Sequence, residues 1–302
     1  MINPIFLAGP TAVGKSEIAL ALAAKIGGEI VSVDSMQVYR GLDIGTAKPD
    51  SAARSAIRHH LIDVCDLTGT FDAAKFVQLA SQALAEIRSR NKTAIFCGGT
   101  GLYFKAFLDG LGDAPAADPR MRAELEATPL SQLLEELHER DPNAYAKIDK
   151  QNPRRVVRAI EVIRATGSPL AASQADWTRN SRGDTTQTLT LMVRAAGDLR
   201  KRIDSRVDIM FQRGLVEETR ELLKRGLAEN RTAMQAIGYR QVVEHLRGQR
   251  SLAETIELIK IRTRQFAKRQ LTWFRRHAHW KRIELNPEET VEEILVRINL
   301  QT

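Results

Sequence analysis

Eight residues near the start of the chain, Gly9-Pro10-Thr11-Ala12-Val13-Gly14-Lys15-Ser16, match the G-x-x-x-x-G-K-[ST] spacing of a phosphate-binding loop. Glycines let a backbone close around phosphate oxygens, and consecutive N–H groups at a helix start supply positive potential. In that chemistry Lys15 meets the outermost phosphate and the Ser16 hydroxyl can ligate Mg2+. A glycine turn followed by a surface lysine has the same letters. Here, however, the motif stands between an apolar run and a helical pattern, as the mechanism requires. The loop does not name the reaction. The sequence shows neither the apolar strand ending in Asp-Glu of an ATPase motor nor an Asn-Lys-x-Asp guanine reader, which points toward kinases and less common transferases.

Asp34 is the second candidate. It follows the β-branched run Glu29-Ile30-Val31-Ser32-Val33, and in a parallel sheet the end of that run falls at the same rim as the phosphate loop. A carboxylate there can accept a proton or hold a metal. A lone aspartate at that position can equally cap a turn.

Positioning these groups requires strands alternating with helices. Ile5-Phe6-Leu7-Ala8 reads as a strand, and Ile18, Leu20, Leu22 and Ile26 continue in a helical pattern. The 29–34 run reads as a buried strand, 72–90 as a helix, and Thr93-Ala94-Ile95-Phe96-Cys97 as a third strand stopped by two glycines. The spacing predicts an α/β fold with a parallel sheet and ligands at the strands' C-terminal ends. After Gly112 the periodic segments are helical, beginning at the Asp118-Pro119 cap, and strand character returns at Thr188 to Val193. The expected organisation is a core of residues 1–112 and 186–302 holding an all-helical insertion at 113–185. From Leu199 onward everything reads as helical. A long helix is expected from about Ser251 to Arg276, with Ile256, Ile259, Thr263, Phe266, Gln270 and Trp273 on its packing stripe.

Charge locates a partner. The 302 residues carry 45 Lys+Arg against 37 Asp+Glu, a net +8. Lys260 to Arg282 holds nine Lys/Arg and no acid, interleaved with Phe266, Trp273, Phe274 and Trp280, leaving the rest of the chain at −1. A hydrophobic content of 43% excludes a disordered chain. No apolar run reaches the roughly 18 residues of a spanning helix, and the N-terminus lacks a signal peptide's basic region. A cytoplasmic location with no membrane partner is the expectation. Cys65 and Cys97 have no metal-ligand spacing and read as core residues, and His59 and His60 read as structural.

Beyond the phosphate loop, several blocks resemble the tRNA dimethylallyltransferase (tRNA isopentenyltransferase) family. They are the run from Asp34 to Pro49, His59 to Asp63, Gly98 to Tyr103 and Asn152 to Glu161. Arg202 to Asp208, Gln235 to Arg240 and Lys268 to Arg275 follow in the same order. Val13 departs from the small polar residue many members carry, at a position that offers only backbone. The resemblance implies a P-loop NTPase-like fold, Mg2+, and transfer of a dimethylallyl group from dimethylallyl diphosphate. The acceptor is the exocyclic amine of the adenosine just 3′ of the anticodon.

By resemblance, Gly9 to Ser16 grip the leaving diphosphate, Thr11 contacts its bridging oxygen, Lys15 neutralises it, and an arginine completes the clamp, Arg206 preferred to Arg202. Asp34 orients and deprotonates the amine. The tRNA is implied to meet Asp34, Ser35, Met36, Gln37, Thr100 and Arg122, then Gln151, Asn152, Pro153, Arg154 and Arg155. Further implied contacts are Gln235, Ala236, Ile237, Gly238, Tyr239 and Arg240, with Lys268, Arg269, Gln270, Leu271, Thr272, Trp273, Phe274 and Arg275. A base buried in a stacked anticodon loop must be flipped out to react. Trp273 and Phe274 at helical spacing read first as packing and second as base platforms. The competing readings are a P-loop nucleoside or small-metabolite kinase, which predicts ATP consumption, and a non-catalytic RNA-binding protein, which predicts indifference to loss of Asp34. A monomer is the default expectation.

Overall fold

The computed structural model describes residues 2–111, 115, 118–170, 188–276 and 280–298. The expected insertion boundaries at 112/113 and 185/186 touch residues outside that set. Two compact units emerge, one of residues 1–105 with 184–302 and one of residues 106–183. The division falls within α4 (Gly101–Asp109).

In the larger unit, β1 (Ile5–Ala8), β2 (Glu29–Val33), β3 (His59–His60), β4 (Ala94–Gly98), β5 (Thr188–Val193) and β6 (Lys281–Glu284) form one parallel sheet, in the order β3-β2-β4-β1-β5-β6. Every residue of β1, β2 and β4 is buried, which is why they read as unbroken apolar runs. Side chains alternate between faces. Ile5 and Leu7 join Ile18 and Leu22 of α1 (Lys15–Ile26) in one core. Phe6 joins an aromatic cluster, stacking on Phe96 at 4.9 Å, with Phe104, Phe274 and Trp280 edge to face beyond it.

The uniformly helical reading after Leu199 is corrected by β6. Its sequence Lys-Arg-Ile-Glu buries only Ile283, so an edge strand with charged flanks hides its period. The two-residue β3 escaped for the same reason. It is also where the histidines do structural work: His60 Nε2 lies 2.7 Å from the buried carboxylate of Glu29, which Arg90 also grips.

The remaining helices of this unit are α2 (Ser51–Ala56), α3 (Ala73–Ser89), α9 (Ala196–Gln212), α10 (Leu215–Lys224), α11 (Tyr239–Leu246), α12 (Leu252–Arg275) and α13 (Val291–Ile298). Helix α12 opens on a Ser251–Glu254 capping box. Its packing line differs from the expected stripe. Thr255, Ile259, Ala267, Gln270 and Phe274 are buried, whereas Phe266 is exposed beneath the Arg269 guanidinium.

The smaller unit contains α5 (Pro119–Ala127), α6 (Leu130–Arg140), α7 (Pro142–Lys147) and α8 (Pro153–Thr166). Three of them start with an Asp-Pro or Asn-Pro step. Asp118, Asp141 and Asn152 accept from first-turn amides, while proline fills a position whose N–H needs no partner. Leu125, Leu133, Leu137, Val156 and Ile160 form its core.

Candidate active site

Strand register sets the site. Ala8 and Val33 both pair with Gly98, so Gly9, Asp34 and Gly99 leave β1, β2 and β4 side by side at one rim. With β4 between them and about 4.8 Å per strand, the phosphate loop and the Asp34 turn stand roughly 10 Å apart. That spacing suits a small substrate lying over the end of β4.

The loop is held open from outside. Gly14, at φ +110°, and Ala12, at φ +63°, turn the chain through the left-handed region. Arg202 Nε donates to the Ala12 carbonyl at 2.9 Å, and Arg194 Nε donates to the Val13 carbonyl at 2.7 Å. Because C=O and N–H oppose each other across a trans peptide, these contacts aim the Val13 and Gly14 amides into the loop. Lys15 Nζ donates to the Pro10 carbonyl at 2.7 Å, across the base of the loop from its own helix start. Burial, with help from the neighbouring Arg206 charge, pulls the Lys15 ammonium down to about 8 against the opposing influence of Cys97 and Asp34.

A cleft of about 550 Å³ opens beside the loop, lined by Ala12, Gly14, Lys15, Ser16, Glu17, Lys201, Arg202, Ser205, Arg206 and Ile209. Four cations against one carboxylate make it a receptor for a compact polyanion. Arg202 and Arg206, one turn apart on α9, both reach it. Arg202 is committed to Ala12. Arg206 makes a long contact of 3.4 Å to the Thr46 carbonyl. Ser16 is exposed at the helix start, and the described residues hold no group of three or more His, Cys, Asp or Glu able to bind a metal. Such a site suits Mg2+, which keeps most of its waters and takes phosphate oxygens alongside one or two protein ligands.

Asp34 caps its turn through one carboxylate oxygen. Its Oδ1 accepts from Met36 N–H at 2.8 Å and Gln37 N–H at 3.2 Å, capping the turn, while Oδ2 has no hydrogen bond among the described residues. Ser35 N–H donates to Thr100 Oγ1 at 3.1 Å, tying this turn to the β4 exit. Gln37 accepts from Ser32 Oγ and donates to the Thr46 carbonyl, so its amide is spent within the loop. Lys48, 7% exposed, donates to the Tyr39 carbonyl and pairs with Asp43 and Asp63. That buried cation is the centre around which the long 34–49 segment folds.

The stretches expected on RNA divide into two groups. Tyr239 is fully buried; its hydroxyl accepts from Gly45 N–H and donates to Glu218, whose carboxylate also takes the Ile44 N–H. Gln270 and Phe274 face the interior, as do Ala236 and Gly238. Gln235, Arg240, Lys268, Arg269, Thr272 and Arg275 are exposed, with Ile237, Leu271 and Trp273 half-buried. In the smaller unit Gln151, Pro153, Arg154 and Arg155 are exposed, Asn152 caps α8, and Arg122 pairs with Glu161.

The basic stretch is partly neutralised within the fold. Lys260 pairs with Asp208 at 2.8 Å and Arg264 with Asp204 at 3.1 Å. Sequence reasoning missed Arg194. Its only signal is position, immediately after β5, the neighbour of β1 in the sheet.

The IPP transferase family profile matches residues 37–277. The chain is 47% identical over 277 residues to the tRNA dimethylallyltransferase of Geobacter metallireducens, covering 90% of this chain and 89% of that one. It superposes on the tRNA isopentenylpyrophosphate transferase of Bacillus halodurans with a TM-score of 0.71 at 37% identity, over 99% and 96% of the two chains. A eukaryotic dimethylallyltransferase, solved acting on tRNA, gives 0.79 at 27% identity over 94% of this chain and 74% of that one.

Proposed function

The chain belongs to the IPP transferase family, and from that membership we propose that it prenylates tRNA at the adenosine 3′-adjacent to the anticodon. As a tRNA dimethylallyltransferase it transfers a dimethylallyl group to a tRNA adenosine. The donor in this reading is dimethylallyl diphosphate and the acceptor is N6. The C1–O bond of the donor breaks, the N6–C1 bond forms, diphosphate leaves, and the amine proton passes to a carboxylate.

The observation that carries the reading is the cationic cleft at the phosphate loop, two strand spacings or roughly 10 Å across β4 from a carboxylate with a free oxygen. Charge builds on the leaving diphosphate as the allylic bond breaks, and donors fixed beforehand stabilise it without reorganising. Lys15, the Val13 and Gly14 amides and Arg206 are the chain's donors for that charge. Thr11 is assigned to the bridging oxygen. The Ser16 hydroxyl would hold Mg2+, which when bound would add to the neutralisation of that charge. Asp34, its Oδ1 fixed by the turn, offers Oδ2 to the flipped base as acceptor of the amine proton.

For tRNA we assign the exposed members of the family stretches. These are Lys268, Arg269, Thr272 and Arg275 on α12, Gln235 and Arg240 ahead of and on α11, and Gln151, Pro153, Arg154 and Arg155 in the smaller, helical unit; half-buried Arg122 and the α8 cap Asn152 are assigned with them. Among the described residues no helix is long and apolar enough to cross a membrane. A monomer in the cytoplasm accords with this reading.

The test incubates the protein with unmodified tRNA, dimethylallyl diphosphate and Mg2+, then analyses the digested nucleosides by mass spectrometry. One adenosine per tRNA gains a dimethylallyl mass. ATP hydrolysis with no such product would return the phosphate loop to the kinase reading.

A further inference from the structure

Gln270 lies in the middle of the segment of α12 whose exposed side chains are assigned to RNA, yet it is 8% exposed and turned toward the sheet. Its Oε1 accepts from Thr11 N–H at 2.9 Å and its Nε2 donates to the Gly99 carbonyl at 2.9 Å. One amide group therefore holds the phosphate loop and the β4 exit together. Both partners are backbone groups, one a donor and one an acceptor, and the carboxamide in this orientation satisfies both.

The approach is close. A Cβ at Gly99 would lie 2.3 Å from Gln270 Nε2, and one at Gly101 would lie 2.2 Å from the Trp273 ring, so two glycines let α12 settle onto the β4–α4 turn. Thr100, between those glycines, holds Ser35 N–H through its hydroxyl and donates its own N–H to the Val33 carbonyl. The contacts run continuously from α12 to the phosphate loop in one direction and to the Asp34 turn in the other. Lys268 and Thr272, exposed two residues to either side of Gln270, lie about 160° around the helix from it, and exposed Arg269 lies about 100° from it.

We propose that Gln270 is a positioning residue that links RNA bound along the exposed side of α12 to the phosphate loop, so that RNA and a diphosphate bind cooperatively. The inference rests on the function proposed above, which places RNA on α12 and a diphosphate at Lys15. Because a ligand shifts a loop only through contacts that differ between its states, the Thr11 and Gly99 bonds of Gln270 are where α12 acts on the loop.

The experiment measures the affinity of the full chain for inorganic diphosphate with Mg2+ by calorimetry, alone and with saturating anticodon stem-loop RNA. The wild-type chain, Gln270→Met and Gln270→Glu are compared. Met fills similar space with no hydrogen bond. In Gln270→Glu the introduced carboxylate can still accept from Thr11 but has nothing to donate to Gly99. RNA tightens diphosphate binding at least fivefold in the wild-type chain, the low end of ordinary site-to-site coupling. In each folded variant the factor falls to within twofold of one, while RNA alone binds as before. A wild-type chain that binds both ligands with less than fivefold coupling overturns the inference and leaves the function standing. Either folded variant keeping the wild-type factor also overturns it. A wild-type chain that binds neither ligand overturns the function itself.

Discussion

Lys15 makes the affinity for a diphosphate depend on pH in a range where few lysines titrate. With its pKa lowered to about 8 by burial and by Arg206, the free enzyme carries a charged Lys15 in about 90% of molecules at pH 7 and in about 10% at pH 9. A bound diphosphate favours the charged form, so binding at pH 9 must draw a proton from solution. If only the ammonium form binds, the Kd for dimethylallyl diphosphate rises close to tenfold between pH 7 and 9, about 1.3 kcal/mol. The donor's own last phosphate proton leaves near pH 6 and adds little above pH 7. Calorimetry of the enzyme with Mg2+ and dimethylallyl diphosphate, without RNA, in buffers of different ionisation enthalpy reads the proton directly. Uptake is about 0.1 proton at pH 7, half a proton at pH 8 and 0.9 at pH 9. Lys15→Met binds weakly at every pH and shows no uptake. A flat Kd across pH 7 to 9 with no proton uptake in the wild-type chain would refute the placement of Lys15 against the phosphate or the cause of its lowered pKa.

Three further outcomes are expected. Asp34→Asn preserves an oxygen for the Met36 and Gln37 amides but removes the base, so kcat falls roughly 10²- to 10⁴-fold while tRNA binding stays within a fewfold; parallel loss of binding would assign Asp34 to the fold. Replacing Lys268, Arg269 and Arg275 with Gln lowers the slope of log K against log salt for tRNA by about two, at roughly 0.7 for each phosphate no longer neutralised, and an unchanged slope removes α12 from the RNA interface. Against the opposing effect of burial, bonds from Arg90 and His60 hold Glu29 near 2, where a glutamate ordinarily titrates at 4.5. Its folded pKa is the lower one, so its stabilisation, about 3 kcal/mol, is present above pH 4.5 and lost as pH falls toward 2. Urea unfolding of Glu29→Gln between pH 3 and 7 should therefore differ most from the parent at pH 7, and a constant gap contradicts the assignment.

What was readable in the sequence follows from burial. Strands β1, β2 and β4 are covered on both faces and must be apolar throughout, so each stands out as a run. The helices at 119, 142 and 153 announce themselves by a capping side chain followed by proline. Edge strands have no such requirement, and β3 and β6 passed unseen. The site shows the same division. A phosphate loop is local, because its residues act on one ligand through consecutive backbone groups. The duty of Tyr239, Gln270 and Arg194 is to hold backbone far away in sequence, 259 residues away for Gln270 and Thr11. A motif records that residue types occur together, and says nothing of whether a side chain faces outward or supports a neighbour. Only the rotation of α12 about its axis separates Gln270, turned inward, from Arg269, turned outward.

Helix α9 carries two interleaved sets of residues. Arg202 and Arg206 reach the phosphate-loop cleft, while Asp204 and Asp208 pair with Arg264 and Lys260 of α12. Each set repeats at four residues, close to one helical turn, and the two are offset by two residues, close to half a turn. A substitution at any one position removes a single interaction. Inserting or deleting one residue between Ile203 and Ser205 rotates everything beyond it by about 100°, carrying Arg206 out of the cleft and Asp208 away from Lys260 together. The spacing of this segment is therefore constrained together with its composition, and related chains should keep its length.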